Sequence, residues 1–411
     1  MRLRTHHYPR HHLLVALMAA LALLAASCGS GDEGAAAPAP APAPATTAAP
    51  APPEAPTTTA GPEPSPTPEP PPAAPTTTVA ASQELRIAMI SDGEALLGGW
   101  YGSMDLGRQH LEDHVDGITV DVVENIAVGQ VAQRTIEDLA ADGYDIVISI
   151  ATFDADIAKV APDYPDTVFL QSCDATVLEN MAQYCPATEQ ARYADGVLAA
   201  SLSEAGKIGY VYAFETPYVV KPLNAFVLGA QSVNPDIVVE VVGTNSWFDP
   251  TLERQAAQSL VNSGADVLTY DLSSSAIPEV AAENGIAFVG FGYDDAATQA
   301  PDAWAGGSIY NWGPMWVEQV EAVQAGAWET NYAYGGYESG YLTFSEIPAS
   351  VPPEVRATVE AAIEGLQSGE IVPLAGPIHD RDGNVVVADG EEADGGWCCD
   401  WVVRGVVGDI L

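Results

Sequence analysis

Aromatic, acidic and hydroxyl side chains recur where the predicted β-strands of this chain end. One example is the stretch TNSWFDP at residues 244–250, which follows the apolar run DIVVEVV. The candidate pocket residues of this kind are Trp100, Phe153, Phe214, Trp247, Asp271, Ser273, Ser274 and Asp294. Flat rings stack on aromatic side chains, and a few polar groups then hold the edges of the ring. These residues therefore predict a binding pocket for a small, planar, polar molecule.

The stretch TNSWFDP leaves two interpretations open. Asp249 is expected to cap a helix that begins at Pro250, because Asp is favoured at the N-cap and Pro at the first helical position. In the first interpretation one ring of the pair Trp247 and Phe248 packs inward, and the other reaches the pocket. In the second interpretation both rings fill the core between a strand and a helix.

The elements that position these residues follow a βαβ pattern. From about residue 84, short apolar runs alternate with amphipathic helical segments, and the series starts again near Lys207. This pattern predicts an α/β fold of two doubly wound lobes with parallel sheets. Residues 84–206 with part of 311–411 form the predicted N-terminal lobe, and residues 207–310 with the rest of 311–411 form the C-terminal lobe. Ligands of such sheets bind beyond the carboxyl ends of the strands, so the pocket is expected between the lobes.

The first 83 residues have the composition of a leader and a tether. Residues 1–27 combine a basic start with an apolar run that ends in LLAASC, which predicts a lipoprotein signal peptide and a lipidated Cys28. The alternative is an ordinary exported protein that is cut near Ser27. Residues 28–83 are rich in Ala, Pro and Thr and predict an extended, semi-rigid linker. The chain is therefore expected on the outer face of a bacterial cell membrane, held there by a lipid.

The charge of the chain argues against a nucleic-acid partner. It has 56 acidic residues against 14 Lys and Arg, a formal net charge of −42. Nucleic-acid binding requires clustered cations that replace counterions. We interpret the acidic residues as a solvated surface that keeps the protein soluble and monomeric.

Four cysteines remain after Cys28, namely Cys173, Cys185, Cys398 and Cys399. Outside the cytoplasm they are expected to be oxidised. One pairing joins Cys173 to Cys185 and leaves a vicinal pair at 398–399, and a crossed pairing between the two sites competes with it.

The sequence lacks motifs that indicate catalysis. No GxSxG elbow, P-loop, HExxH or CxxC is present. His110 and His114 share a predicted helix face, but no third metal ligand accompanies them. These observations favour a binding protein without a catalytic residue, a metal or a cofactor.

Several segments resemble the basic membrane protein family of substrate-binding lipoproteins, the partners of ABC importers. The matching pieces include YDIVISIATFDADIAKVAPDYPDTVFLQSCD, NSWFDPTLERQAAQSLVNSGADVL, YNWGPMWVEQVEAVQAGAWE and GPIHDRDGNVVV. The resemblance implies a type I periplasmic-binding fold with three hinge crossings and ligand capture by lobe closure. It also implies a purine base or nucleoside as ligand and an ABC permease as partner. A ligand-sensing lipoprotein, or a binding protein for another solute such as a sugar, remains the alternative.

The resemblance carries site residues over to this chain one by one. Besides residues 245–250, they are Gly99, Trp100, Phe153, Phe214, Asp294, Asn311 and Trp312. Two loops depart from the family pattern. Leu97-Gly98 stands where the family has an Asp with Asn or His, and Leu272-Ser273-Ser274 stands where the subgroup has His-Thr-Asp-Ser. Both loops would touch the ligand.

Overall fold

A computed structural model describes residues 84–95, 98–393 and 398–410 of the chain. The predicted signal peptide (1–27), Cys28 and the linker (28–83) lie outside the described residues. Within the described ranges, no helix is long and apolar enough to cross a membrane.

Residues 84–186 alternate strands with helices, as the βαβ pattern predicts. The elements are β1 (Leu85–Ile90), α1 (Gly99–His114), β2 (Ile118–Val123), α2 (Gln130–Ala141), β3 (Ile146–Ser149), α3 (Asp154–Val160) with a 3-10 turn (Ala161–Asp163), β4 (Val168–Ser172) and β5 (Met181–Pro186).

Residues 188–306 repeat this alternation. They form α4 (Thr188–Leu202), β6 (Lys207–Tyr212), α5 (Pro217–Val233), β7 (Val238–Gly243), α6 (Pro250–Asn262), β8 (Val267–Tyr270), α7 (Ala276–Asn284), β9 (Ala287–Val289), α8 (Ala296–Gln299) and β10 (Trp304–Gly306).

The last part of the chain adds elements to both halves. These are β11 (Ser308–Tyr310), α9 (Trp312–Gln324), β12 (Tyr332–Gly335), β13 (Leu342–Phe344), α10 (Pro353–Ser368), β14 (Ile378–His379), β15 (Val385–Val387) and β16 (Val406–Gly408).

Two six-stranded sheets organise these elements. The first runs β2-β1-β3-β4-β5-β12 and the second β16-β7-β6-β8-β9-β10. Every neighbouring pair within each sheet is parallel. We call the parts built on them the first and the second lobe. The chain passes between the two sheets three times, after β5, after β10 and after β12. This topology confirms the predicted type I periplasmic-binding fold.

Each sheet is covered by helices on both faces, which explains why its strands are almost uniformly apolar. Against the first sheet, one core contains Met104 of α1 and Trp316 of α9, and the opposite core contains Ile136 of α2 and Ile157 of α3. The second sheet is likewise buried between α5 on one side and α6 with α7 on the other.

A buried polar network ties the three chain crossings together. Helix α4 occupies the first crossing, and its Asp195 accepts hydrogen bonds from the amide and the hydroxyl of Ser308 in the second crossing, each at 2.8 Å. The Ser308 hydroxyl lies 2.7 Å from the hydroxyl of Tyr337, which follows β12 in the third crossing. One polar cluster thus joins all three connections between the lobes.

The disulfides take the uncrossed arrangement. Cys173, just after β4, is bonded to Cys185 in β5, and Cys398 is bonded to Cys399. The first bond ties the loop that follows β4 to the neighbouring strand.

Candidate ligand-binding site

A cavity of about 120 Å³ lies where the carboxyl ends of the two sheets meet. Strand order reverses between β1 and β3 in the first sheet and between β6 and β8 in the second. Loops that leave such a point diverge and open a crevice. The first lobe lines the cavity with Asp92, Trp100, Tyr101, Ile150, Thr152 and Asp174, and the second lobe with Tyr218, Trp247, Asp271, Leu272, Ser273 and Phe291.

Aromatic side chains from both lobes form much of the cavity wall. The Trp100 indole donates a hydrogen bond to the carbonyl of Ile150 (2.9 Å) and packs edge-on against Tyr310, with ring centroids 6.0 Å apart. In the second lobe, Trp247 stacks on Tyr218 at an interplanar angle of 22°. Because these contacts already order each indole, ligand binding would cost little additional side-chain entropy at the two rings.

Four of the residues predicted from the sequence line this cavity. Trp100 and Trp247 contribute rings, and Asp271 and Ser273 contribute polar groups at the end of β8. Leu272 and Ser273, two of the three residues expected to depart from the family pattern in that loop, also line the cavity.

The other six predicted residues lie outside the cavity lining. Phe153 and Trp312 are fully buried in the core of the first lobe. Each lies at the start of a helix, α3 or α9, that packs against the first sheet. Phe214 packs edge-on against Trp247 and so supports that ring. The Ser274 hydroxyl donates a hydrogen bond to Glu253, and the Asn311 amide donates one to the carbonyl of Gly340. Asp294 is exposed to solvent.

Several lining residues were not singled out from the sequence. Asp92 and Asp174 follow β1 and β4 directly, so the strand-end argument could have found them. Tyr218 lies in the first turn of α5, and Tyr310 lies in the second crossing. Tyr218 belongs to the loop FETPY that follows β6, so the strand-end argument could have found it as well. Tyr310 does not follow a strand of the predicted series, so no sequence signal marked it.

The stretch TNSWFDP departs from both interpretations offered for it. Asp249 caps α6, as predicted, by accepting hydrogen bonds from the amides of Thr251 and Leu252 at 3.0 Å. Trp247 reaches the cavity, but the expectation that the second ring packs inward is wrong. Phe248 is 37% exposed, because the loop turns at Asn245 (φ 53°) and directs this ring away from the core.

Asp271 connects the cavity to the buried network of the chain crossings. It accepts a hydrogen bond from the Tyr210 hydroxyl, and its Oδ1 lies 3.7 Å from Nε of the fully buried Arg192. Arg192 also pairs with Asp195 at 2.9 Å. Burial raises the pKa of Asp271 to about 6, although Arg192 and the Tyr210 hydroxyl act in the opposite direction.

Comparison with known proteins decides the family. The model of the family described as "ABC transporter substrate-binding protein PnrA-like" (Bmp) matches residues 84–366. The chain belongs to the Bmp family. Proteins of this family bind the substrates of ABC transporters outside the cytoplasm, work with permeases, and are not enzymes.

Two relatives and one solved structure illustrate the similarity of this Bmp protein. A purine-binding protein of Brucella abortus is 33% identical over 76% of this chain and 90% of its own length. A putative ABC transporter glucose-binding protein of Haloferax volcanii is 32% identical over 68% and 71%. The solved structure of an ABC transporter solute-binding protein from Conexibacter woesei superposes with a TM-score of 0.59 at 24% identity, covering 70% of this chain and 98% of that one.

The lobes of this Bmp protein meet closely at Gly98 and Gly99. The amide of Gly99 lies 3.4 Å from Oδ2 of Asp295 in the second lobe. A Cβ on Gly99 would stand 2.7 Å from Cα of Ser273, and its φ of +51° also favours glycine. Only a residue without a side chain permits the second lobe to come this near.

Substitution Gly99→Ala is therefore expected to weaken ligand binding by holding the lobes apart. Overpacking of this kind costs about 1–3 kcal/mol, which corresponds to roughly 5- to 150-fold in affinity. Isothermal titration would measure the loss, with Gly129→Ala as a control, since no atom lies within 4 Å of a Cβ at that positive-φ glycine. Equal affinities for Gly99→Ala and the unchanged protein would contradict the close approach.

Proposed function

We propose that this protein captures a purine base or nucleoside and delivers it to an ABC importer. The observation that carries the proposal is the cavity between the lobes, which Trp100 of the first lobe lines together with Trp247 and Asp271 of the second. The cavity of about 120 Å³ leaves space for a small ligand between aromatic side chains of the two lobes. The similarity to the Brucella abortus purine-binding protein supports the same ligand class.

In this mechanism the ligand binds between separated lobes and closure sandwiches it. Trp100 would stack from the first lobe and Trp247 from the second, while Asp271 accepts hydrogen bonds from N–H groups of the ring. Closure excludes water, which strengthens each of these hydrogen bonds. We further propose that Cys28 carries the lipid and that residues 28–83 give the lobes reach from the membrane to the permease.

Mass spectrometry of small molecules released from the purified protein would test the proposal, followed by thermal shift with purines, nucleosides and simple sugars. A ligand that binds only the folded state at a concentration of about 100 Kd adds about 2.7 kcal/mol to the free energy of unfolding, so the shift in Tm is readily measured. Sugars form the second candidate class, because of the glucose-binding relative in Haloferax volcanii. Shifts with sugars and none with purines would replace the proposal by that candidate.

Ligand affinity is expected to fall as the pH drops below about 6. Ionised Asp271 accepts hydrogen bonds from N–H groups, and protonation of the carboxylate, whose pKa burial raises to about 6, removes that capacity. The unliganded protein responds in the opposite direction. Since the folded pKa exceeds the ordinary value of about 3.9, the stability contribution of this group is full below that value and is lost as the pH rises through about 6.

Thermal unfolding with and without purine at about pH 5 and about pH 7.5 would check both directions. The increase in Tm caused by the ligand should be smaller at the lower pH. An increase that is the same at both values would show that Asp271 does not hold the ligand through an ionised carboxylate.

A further inference from the structure

All charged side chains that line the cavity are acids. Asp92 follows β1, Asp174 follows β4, and Asp271 follows β8, so three separate loops each bring a carboxylate to the same space. Among the described lining residues there is no Lys, Arg or His. An aromatic cavity with this charge distribution places a negative potential around the ring that it encloses.

Protein groups leave the negative charge of the two outer acids largely unpaired. Asp92 accepts a hydrogen bond from the Tyr101 hydroxyl at 3.1 Å, and Asp174 accepts one from the adjacent amide of Ala175 at 2.9 Å. Neither carboxylate has an ion pair within the described part of the chain. Burial raises the pKa of both acids, the sign of a carboxylate that has lost water without gaining a cation.

Asp271 differs, because its countercharge lies behind the cavity wall. Arg192 is completely buried and approaches Asp271 from α4, but it also neutralises Asp195. One guanidinium thus serves two carboxylates, and its positive charge is not offered to a ligand. The cavity therefore lacks any described cation that could pair with a ligand anion.

An ionised carboxylate only accepts hydrogen bonds, and an unpaired acceptor facing a ligand acceptor costs free energy. We propose that Asp92, Asp174 and Asp271 make the cavity selective for ligands whose edges are rich in N–H donors and that are neutral or cationic. Among purines it selects adenine over hypoxanthine, which has one N–H donor fewer and an oxo acceptor in place of the amino group, and it rejects phosphorylated nucleosides. This selectivity rests on the proposed function and names the ligand chemistry within it.

Calorimetric titration of the purified protein with matched ligands tests the selectivity. The panel is adenine against hypoxanthine, adenosine against its 5′-monophosphate, and tryptamine against indole-3-acetate as a cation and an anion on one flat ring. We expect adenine to bind at least about tenfold more tightly than hypoxanthine, and no detectable binding of the monophosphate. Hypoxanthine binding as tightly as adenine would overturn the selectivity and leave the purine function intact.

Tryptamine and indole-3-acetate test the selectivity by charge independently of the purine function. If no purine binds but tryptamine binds more tightly than indole-3-acetate, the purine function fails and the selectivity by the three carboxylates stands. If indole-3-acetate binds more tightly, or if nothing in the panel binds, the selectivity itself is overturned.

Variants Asp92→Asn and Asp174→Asn assign the effect to these side chains. An amide keeps the shape of the acid but adds an N–H donor, so each variant should lower the ratio of adenine to hypoxanthine affinity several-fold. Asp236→Asn is the matched control, since it removes the same charge from an exposed turn at the amino end of β7. A merely structural role would weaken both ligands equally, and an unchanged ratio in both variants would refute the assignment.

Discussion

Truncation of Trp247 to alanine is expected to weaken purine binding by about 2 kcal/mol, roughly thirtyfold. The indole lines the cavity and is held between Tyr218, with ring centroids 6.0 Å apart, and Phe214 at 5.3 Å. Alanine removes one stacking surface and also leaves a void into which the supporting rings can move. The loss should appear in the dissociation rate, because the opening to the cavity is not narrowed by the change.

The neighbouring residue supplies a matched control. Phe248 lies beside Trp247 in the sequence, but its ring is directed to the surface. Phe248→Ala should leave purine affinity within about a factor of two while testing the same loop. Calorimetric titration of both variants would measure the difference. If Trp247→Ala bound its ligand unchanged, the stacking role of this ring would be excluded.

Substitution Arg192→Met is expected to have the largest effect on stability. The guanidinium is fully buried, pairs with Asp195 at 2.9 Å, and donates to the hydroxyl of Thr269 and the carbonyl of Gly290. Its removal leaves the carboxylates of Asp195 and Asp271 buried without a cation. Breaking a buried pair in this way costs about 3–5 kcal/mol, on the order of 10 °C in Tm for a domain of this size.

A surface variant and the pH dependence of stability test whether unpaired buried carboxylates cause the loss in Arg192→Met. Arg254→Met removes an exposed arginine that pairs with Glu279 and Glu283, and should cost less than about 1 kcal/mol. The deficit of Arg192→Met should shrink as the pH falls, because the two stranded carboxylates then take up protons. Thermal unfolding at several pH values measures this deficit in Tm. A deficit that does not change with pH would show that lost packing, and not the unpaired carboxylates, is the cause.

The sequence alone determined the architecture of the lobes. Apolar runs of 4–6 residues at β3 and β6, separated by amphipathic segments, have few solutions other than parallel strands covered by helices on both faces. The edge of the sheets at which the cavity lies followed from the same topology, and so did Trp100, Trp247, Asp271 and Ser273 as residues at that edge. Local interactions between neighbours in the chain could also be predicted, as for the helix cap formed by Asp249.

Only the tertiary structure decided which strand-end residues face the cavity. Phe153 and Trp247 both follow strands. Phe153 is nevertheless buried in a core, whereas Trp247 lines the cavity. Periodicity reports which face of an element is apolar, but the direction of a loop side chain depends on contacts with distant residues. Tyr310 lines the cavity from the second crossing, and Arg192 contacts Asp271 from the first, because a crossing brings together residues that are far apart in the sequence. The carboxylates of Asp92, Asp174 and Asp271 come together only because the two lobes face each other around one cavity.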